Sequence, residues 1–467
     1  NLLVQAINSS TITSIVAAGS VAIGGGMVAI SASAAVVVVM NKMSVAVRAY
    51  IANTIDSGIN VAGNVTVSAL ESSLIDANAH AVSVAASFGL FGSSVSIGIA
   101  TADNTIKNVV EAYLSLADVI TIVGSLTVSA DETAVITALS SASAVAATLA
   151  IGSAFAGGGV YTAVTIETET RAYISGGTLS IAGNVNVTSK STSSARAEVI
   201  ATAASAGPVA NAAAGSIAMA IISPINEAYI QNAVMNVGGD INVSATELPD
   251  VYTYAKALSV AAGLGGAVGL SYAEATFDPT VRASAGGAGA IISAGGNITI
   301  IARFNFDQND QPNSNGTEAY SEASAGSLVG VSGATAIATN NPTVSAYISG
   351  GSVEAGQDIE MKALAQNDAK ADATGSAYGF VGSGTITATA ESVGSTKAYI
   401  ADRSIVIAGG NVDIKAQSED QANTTSMAAS GGFVSANGAE SLSDIKAKAD
   451  AYVGRESTIT AHGILSV

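Results

Sequence analysis

Ala49-Tyr50-Ile51, a short turn, then Ile59-Asn60-Val61 and Gly63-Asn64-Val65-Thr66-Val67: the reading of this chain turns on that phrase. Residues alternate between apolar and polar on either side of Gly63-Asn64, which is the pattern of strands meeting at a tight corner. The phrase returns as Ala172-Tyr173-Ile174 with Gly183-Asn184-Val185-Asn186-Val187. A segment that repeats itself in this way describes one module of an array, not one piece of a globular core.

The aromatic position recurs at Tyr50, Tyr113, Tyr173, Tyr229, Tyr347, Tyr399 and Tyr452, and in Arg282-Ala283-Ser284 a serine takes its place. The corner recurs as Gly296-Asn297 and Gly410-Asn411, and in relaxed form as Gly124-Ser125, Gly239-Asp240 and Gln357-Asp358. Successive corners are 53 to 63 residues apart, so the chain holds about eight units, with loop insertions in a fixed frame. Both ends fall inside the motif: Asn1-Leu2-Leu3-Val4 aligns with Asn64-Val65-Thr66-Val67, and Gly463–Val467 with Gly63–Val67. The expectation is one continuous array over residues 1–467, a window on a longer protein, with one polar loop insertion at 304–318.

Composition agrees with an array. Aromatic residues make up 4%, Trp and Cys are absent, and small residues dominate, which suits thin, closely packed sheets. The net charge of −18 argues against nucleic acid, which requires clustered Lys and Arg. No disulfide or thiolate metal site is possible without Cys. The uncharged stretch Ile15–Met40 is hydrophobic enough for a membrane helix. Its glycine triplet, its four successive valines and the polar residues in the matching stretch Ala77–Ala102 make it a buried strand instead, so no membrane span is expected.

In the unit Ala49–Val110, Asp56-Ser57-Gly58 reads as a turn and Glu71–Asp76 as a polar connection. Two long alternating runs, Ala77–Ser87 and Ser93–Ala102, meet at the glycine-rich joint Phe88–Gly92. Ala, Ser and Gly occupy both phases of these runs, which suggests sheets packed on both faces. The fold class is all-β, a parallel β-solenoid. The absence of a shorter period inside a unit favours one wide rung per unit, with about three coils of about 19 residues as the alternative.

If units stack rung on rung at about 4.8 Å, equivalent residues form axial ladders. The seven tyrosines would stack as rings. The residues preceding Ala-Tyr are Arg48, Glu111, Arg171, Glu227, Arg282, Ser345, Lys397 and Asp450, and opposite signs meet at five of seven steps, the mark of a charge ladder. Asn64, Asn184, Asn297 and Asn411 would form a partial amide ladder, or simply reflect the turn preference of Gly-Asn.

Little in the chain points to chemistry. Its two histidines, His80 and His462, lie at different places in the repeat and lack recurrent carboxylate or serine partners. A polysaccharide-cleaving β-helix needs clustered carboxylates on one face, whereas acidic residues here read as scattered through connections. The densest group, with Asp307 and Asp310, only faintly matches a calcium loop. No catalytic residue and no cofactor is expected. The chain reads as a non-enzyme.

The phrase Ala-Tyr-Ile with Ala-Gly-Asn-Val and the intervening small-residue strands resembles the repeat region of large secreted bacterial adhesins. Leukotoxin-type filamentous adhesins and filamentous-haemagglutinin-like exoproteins are the families meant, and the resemblance covers essentially the whole chain. It implies an extracellular or bacterial cell-surface location and export of the unfolded chain. The expected role is a self-associating structural shaft whose partners are identical chains or further repeats, with host or surface glycans as possible ligands. A glycan- or ice-binding flat face is the alternative, though the Thr-x-Thr runs at Thr11–Thr13, Thr168–Thr170 and Thr385–Thr387 fall at different frame positions.

Overall fold

The computed structural model describes residues 1–52, 58–115, 119–149 and 151–467; the expected turn at Asp56-Ser57 lies outside them. The described residues contain no helix. Alternating small and β-branched residues run as strands, and each unit closes into a single wide rung of a parallel β-solenoid.

One rung serves for all. A long outgoing strand, Val185–Ala206, turns back into a return strand, Val209–Ile222. Next comes the tyrosine-bearing strand Ile225–Gln231, then a short strand, Val234–Val237, that closes the base of the rung. The next rung begins at Ile241, directly over Val185, and Leu126 lies below it in the same register. Registry between whole units excludes three coils per unit. Stacked rungs form three parallel ladders: one 16-stranded sheet from the outgoing and return strands, and two eight-stranded sheets from the tyrosine-bearing and short strands.

The interior has two regions. At the base, three walls meet and leave room for large side chains; Ile222, Ile230, Met235 and Val187 fill it in this rung. Beyond the base the outgoing and return strands face each other directly, and the inward residues shrink to Ala203, Ala212, Ala218 and their like. The approach there is close. A Cβ on Gly158 would lie 2.6 Å from the Thr202 carbonyl oxygen, and one on Gly269 would lie 2.5 Å from that of Ser324. Small residues are therefore a packing requirement in this part of the rung.

Three sequence expectations need correction. Glu71–Asp76 is not a connection, because the strand runs unbroken from Val65 to Ile106 with Glu71 facing inward and fully buried. Only one face of the long strands is packed: inward residues alternate with partly exposed ones along Leu126–Thr148 and Val185–Ala206. Small residues on the outer phase had suggested a second layer that does not exist. The insertion is also narrower than 304–318. Phe304 ends one strand and Thr317 begins the next, so residues 305–316 replace the three positions that neighbouring rungs spend on Leu248–Asp250 and Gln366–Asp368.

Candidate functional site

The features that stacking brings together are axial columns. Rings of Tyr50, Tyr113, Tyr173 and Tyr229 lie 4.8–5.0 Å apart, tilted by at most 6°. Tyr347, Tyr399 and Tyr452 form a second stack at 4.9–5.0 Å. Buried Ser284 separates the two stacks. Burial, then the charge of Glu111 and the neighbouring Tyr113, pushes the Tyr173 hydroxyl up to about 12.

The charged column runs beside the rings. Arg48 Nε donates to Glu111 Oε2 at 2.6 Å, and Arg171 approaches Glu111 Oε1 at 3.7 Å. Arg171 Nε donates to Glu227 Oε2 at 3.1 Å, and Arg282 Nη1 to Glu227 Oε1 at 3.0 Å. Each glutamate is thus held between two arginines. Beyond Ser345, Lys397 and Asp450 are register partners, but no ion pair joins them.

At the corners the polar column differs from an amide ladder. The side-chain oxygen of each unit accepts from the backbone N–H of the equivalent residue one rung on. Asn64 Oδ1 accepts from Ser125 at 3.0 Å, Ser125 Oγ from Asn184 at 3.1 Å, and Asn184 Oδ1 from Asp240 at 3.0 Å. The series continues through Asn297, Asp358, Asn411 and Ile464 at 2.6–3.1 Å. Only an acceptor is needed, which explains why Asn, Asp and Ser interchange. The preceding glycine belongs to the same device: a Cβ on Gly239 would lie 2.0 Å from Asn184 Oδ1.

Asp307 and Asp310 do not converge on a common point. Asp310 accepts from Arg303 Nε at 2.7 Å and Lys362 Nζ at 3.2 Å; burial opposes its charge, but these two cations outweigh it and hold the carboxyl below its ordinary range. Backbone N–H groups of Gln311 and Asn309 hold the partly exposed Asp307 low. Among the described residues no group of three metal-ligating side chains forms. His80 Nδ1 lies 2.8 Å from Ser141 Oγ on the outer face, and His462 Nδ1 lies 3.1 Å from the Ala408 carbonyl; the two histidines belong to different rungs.

Acidic residues are not confined to connections. Glu71, Glu132 and Glu247 share one inward column and are fully buried. Their parity with Val65, Val67 and Ala69, or with Ile241 and Val243, was the signal that placed them inside.

The two broad outer faces differ. The outgoing face carries charge pairs such as Lys256–Glu322 at 2.8 Å, and Arg196 lies 4.7 Å above the Tyr252 ring. The return face is largely apolar, with Ile97, Ile99, Phe155, Ile217 and Leu270 exposed. An open groove of about 660 Å³ crosses it, floored by Gly159 and Gly215 and flanked by Tyr161 and Tyr272. Among the described residues no helix is long and apolar enough to cross a membrane; Ile15–Met40 lies within the strand Leu2–Met43, but with Ile15, Val21, Ile30 and Val38 exposed it is not the buried strand expected.

Compared with protein-family models, curated proteins and solved structures, the chain finds no match.

Proposed function

We propose that the chain is the shaft of an extracellular filament or giant cell-surface adhesin, mechanical and self-associating, and not catalytic. One observation carries this reading: eight rungs stack in unbroken parallel register, so their main-chain hydrogen bonds lie along the axis. A lengthwise pull loads every bond between two rungs together. Side-chain columns along that axis add further links in the same direction. The partners implied are identical chains or further repeats, and the resemblance of the repeat phrase to adhesin repeats supports a location outside a bacterial cell.

The test is electron microscopy of the purified chain with fibre diffraction of oriented material. Rods that lengthen with concentration, with an axial reflection near the 4.8–5.0 Å ring spacing, are expected. Compact particles that never associate would remove the filament reading. Turnover of acidic polysaccharides would remove the non-catalytic one.

The groove flanked by Tyr161 and Tyr272 favours a second reading, a glycan laid against the return face. A glycan array probed with the chain and with Y161A/Y272A separates the two. Ice binding has less support: Thr168 and Thr170 are buried, and the outward-facing Thr11 and Thr13 lie on a different broad face from Thr385 and Thr387 and form no array with them.

A further inference from the structure

Three carboxyl side chains occupy the core of a protein whose other inward residues are mostly Ala, Ser, Val and Ile. Glu71 and Glu132 are register partners one rung apart. Ser191 takes the position in the next rung and Glu247 the one after, and Asn8 precedes Glu71, so a column of oxygen-bearing side chains runs through five rungs. Phe304 then closes it.

Each glutamate is only half satisfied. Glu71 Oε1 accepts from Ser73 Oγ at 2.6 Å, Glu132 Oε2 from Thr170 Oγ1 at 3.0 Å, and Glu247 Oε1 from Ser193 Oγ at 3.1 Å. No hydrogen bond of good geometry reaches the second oxygen of each, although the Thr168 hydroxyl lies beside Glu132 and the Ser191 hydroxyl beside Glu247. A buried carboxylate without a counter-ion is strongly disfavoured, whereas a carboxylic acid bears no charge and can donate. The groups facing Glu132 are Glu71, Asn108, Thr168 and Thr170, and those facing Glu247 are Ser191, Ser193, Asn226 and, two rungs away, Glu132. No cation is among them. The inward residues that end the return strands, Ile106, Ile166, Ile222 and Phe277, are uncharged.

We propose that Glu132 and Glu247 are built into the folded shaft as carboxylic acids, and that their ionisation sets an alkaline limit on its stability. A bound cation is the competing way to neutralise the column. Glu71 and Glu132 sit close enough to share one, but Glu247 is flanked by a serine and a phenylalanine. Protonation accounts for both Glu132 and Glu247 by one cause.

Burial, the largest influence on both groups, carries Glu132 up to about 7 and Glu247 up to about 8. The folded chain therefore holds protons that the unfolded chain has released. The stabilisation is full below the ordinary glutamate range and is lost as pH rises through about 7 and then about 8.

The experiment is thermal unfolding of the whole chain, followed by circular dichroism from about pH 6 to about pH 9, for wild type and E132Q/E247Q. The melting temperature of the wild type is expected to fall by several degrees across that window, while the double variant stays level and exceeds wild type at the alkaline end. A level wild-type profile overturns the proposal, as does an unchanged fall in the double variant. So does stability that calcium raises and EDTA lowers while pH leaves it unmoved, which would assign the column to a cation. Should the double variant not fold, infrared spectra of wild type, E132Q and E247Q decide. A protonated-carboxyl band is expected near pH 6, weaker in each single variant and lost toward pH 9, and its absence from the wild type overturns the proposal.

Discussion

A single side-chain oxygen at each corner ties one rung to the next, and the residue types tolerated there follow from that task. Asn184 Oδ1 receives the Asp240 N–H, and Asp358 Oδ1 receives that of Asn411. N184A removes the acceptor but leaves an exposed N–H that water can reach, so a loss of about 0.5–1.5 kcal/mol is expected in urea unfolding. N184D keeps the acceptor and should stay near wild type. Equal losses in both variants would show that the amide acts some other way. The recurrence of Gly-Asn was legible in the sequence, but its reason was not, because a turn and an interrung bond demand the same dipeptide. The inward glutamates were legible by parity and were obscured by the habit of reading polar clusters as connections.

At the scale of the element, the tyrosine-bearing strand carries two columns on one short ladder. Its rings stack face over face, and its Arg and Glu residues alternate so that each carboxylate meets two guanidinium groups. The stack stops at Ser284, which lies between Tyr229 and Tyr347. S284Y would join the two stacks, and each new ring pair contributes about 0.5–1.5 kcal/mol. A higher melting temperature is expected, and a lower one would mean that the slot cannot take a ring. E227Q removes the carboxylate that Arg171 and Arg282 share. Since these arginines are partly exposed, about 1 kcal/mol or less should be lost at low salt, and little at high salt. Stacking partners could be named from the sequence because the period fixes them. The unpacked outer face could not, since small residues suit a thin core and a bare surface equally.

Across the whole molecule, each rung touches only its neighbours, so stability accumulates rung by rung. Deleting residues 359–411 removes one complete rung and brings Val412 to the place of Ile359, with every inward residue still inward. This chain is expected to fold, with the circular-dichroism signature of strands and a compact elution volume. A deletion of residues 359–385 leaves half a rung without an outgoing strand and should not fold. If both behave alike, units are not the cooperative element. The overall architecture was readable from a period and a parity. The pairing of a charged broad face with an apolar one was not, because it emerges only when the outward positions of eight rungs are laid side by side.

The side-chain bonds at the corners all point the same way. In each pair the earlier rung supplies the acceptor and the later one the donor. A chain that folds as it emerges, amino end first, therefore always lays its next turn on an edge whose oxygens are already in position, and assembly has a built-in heading.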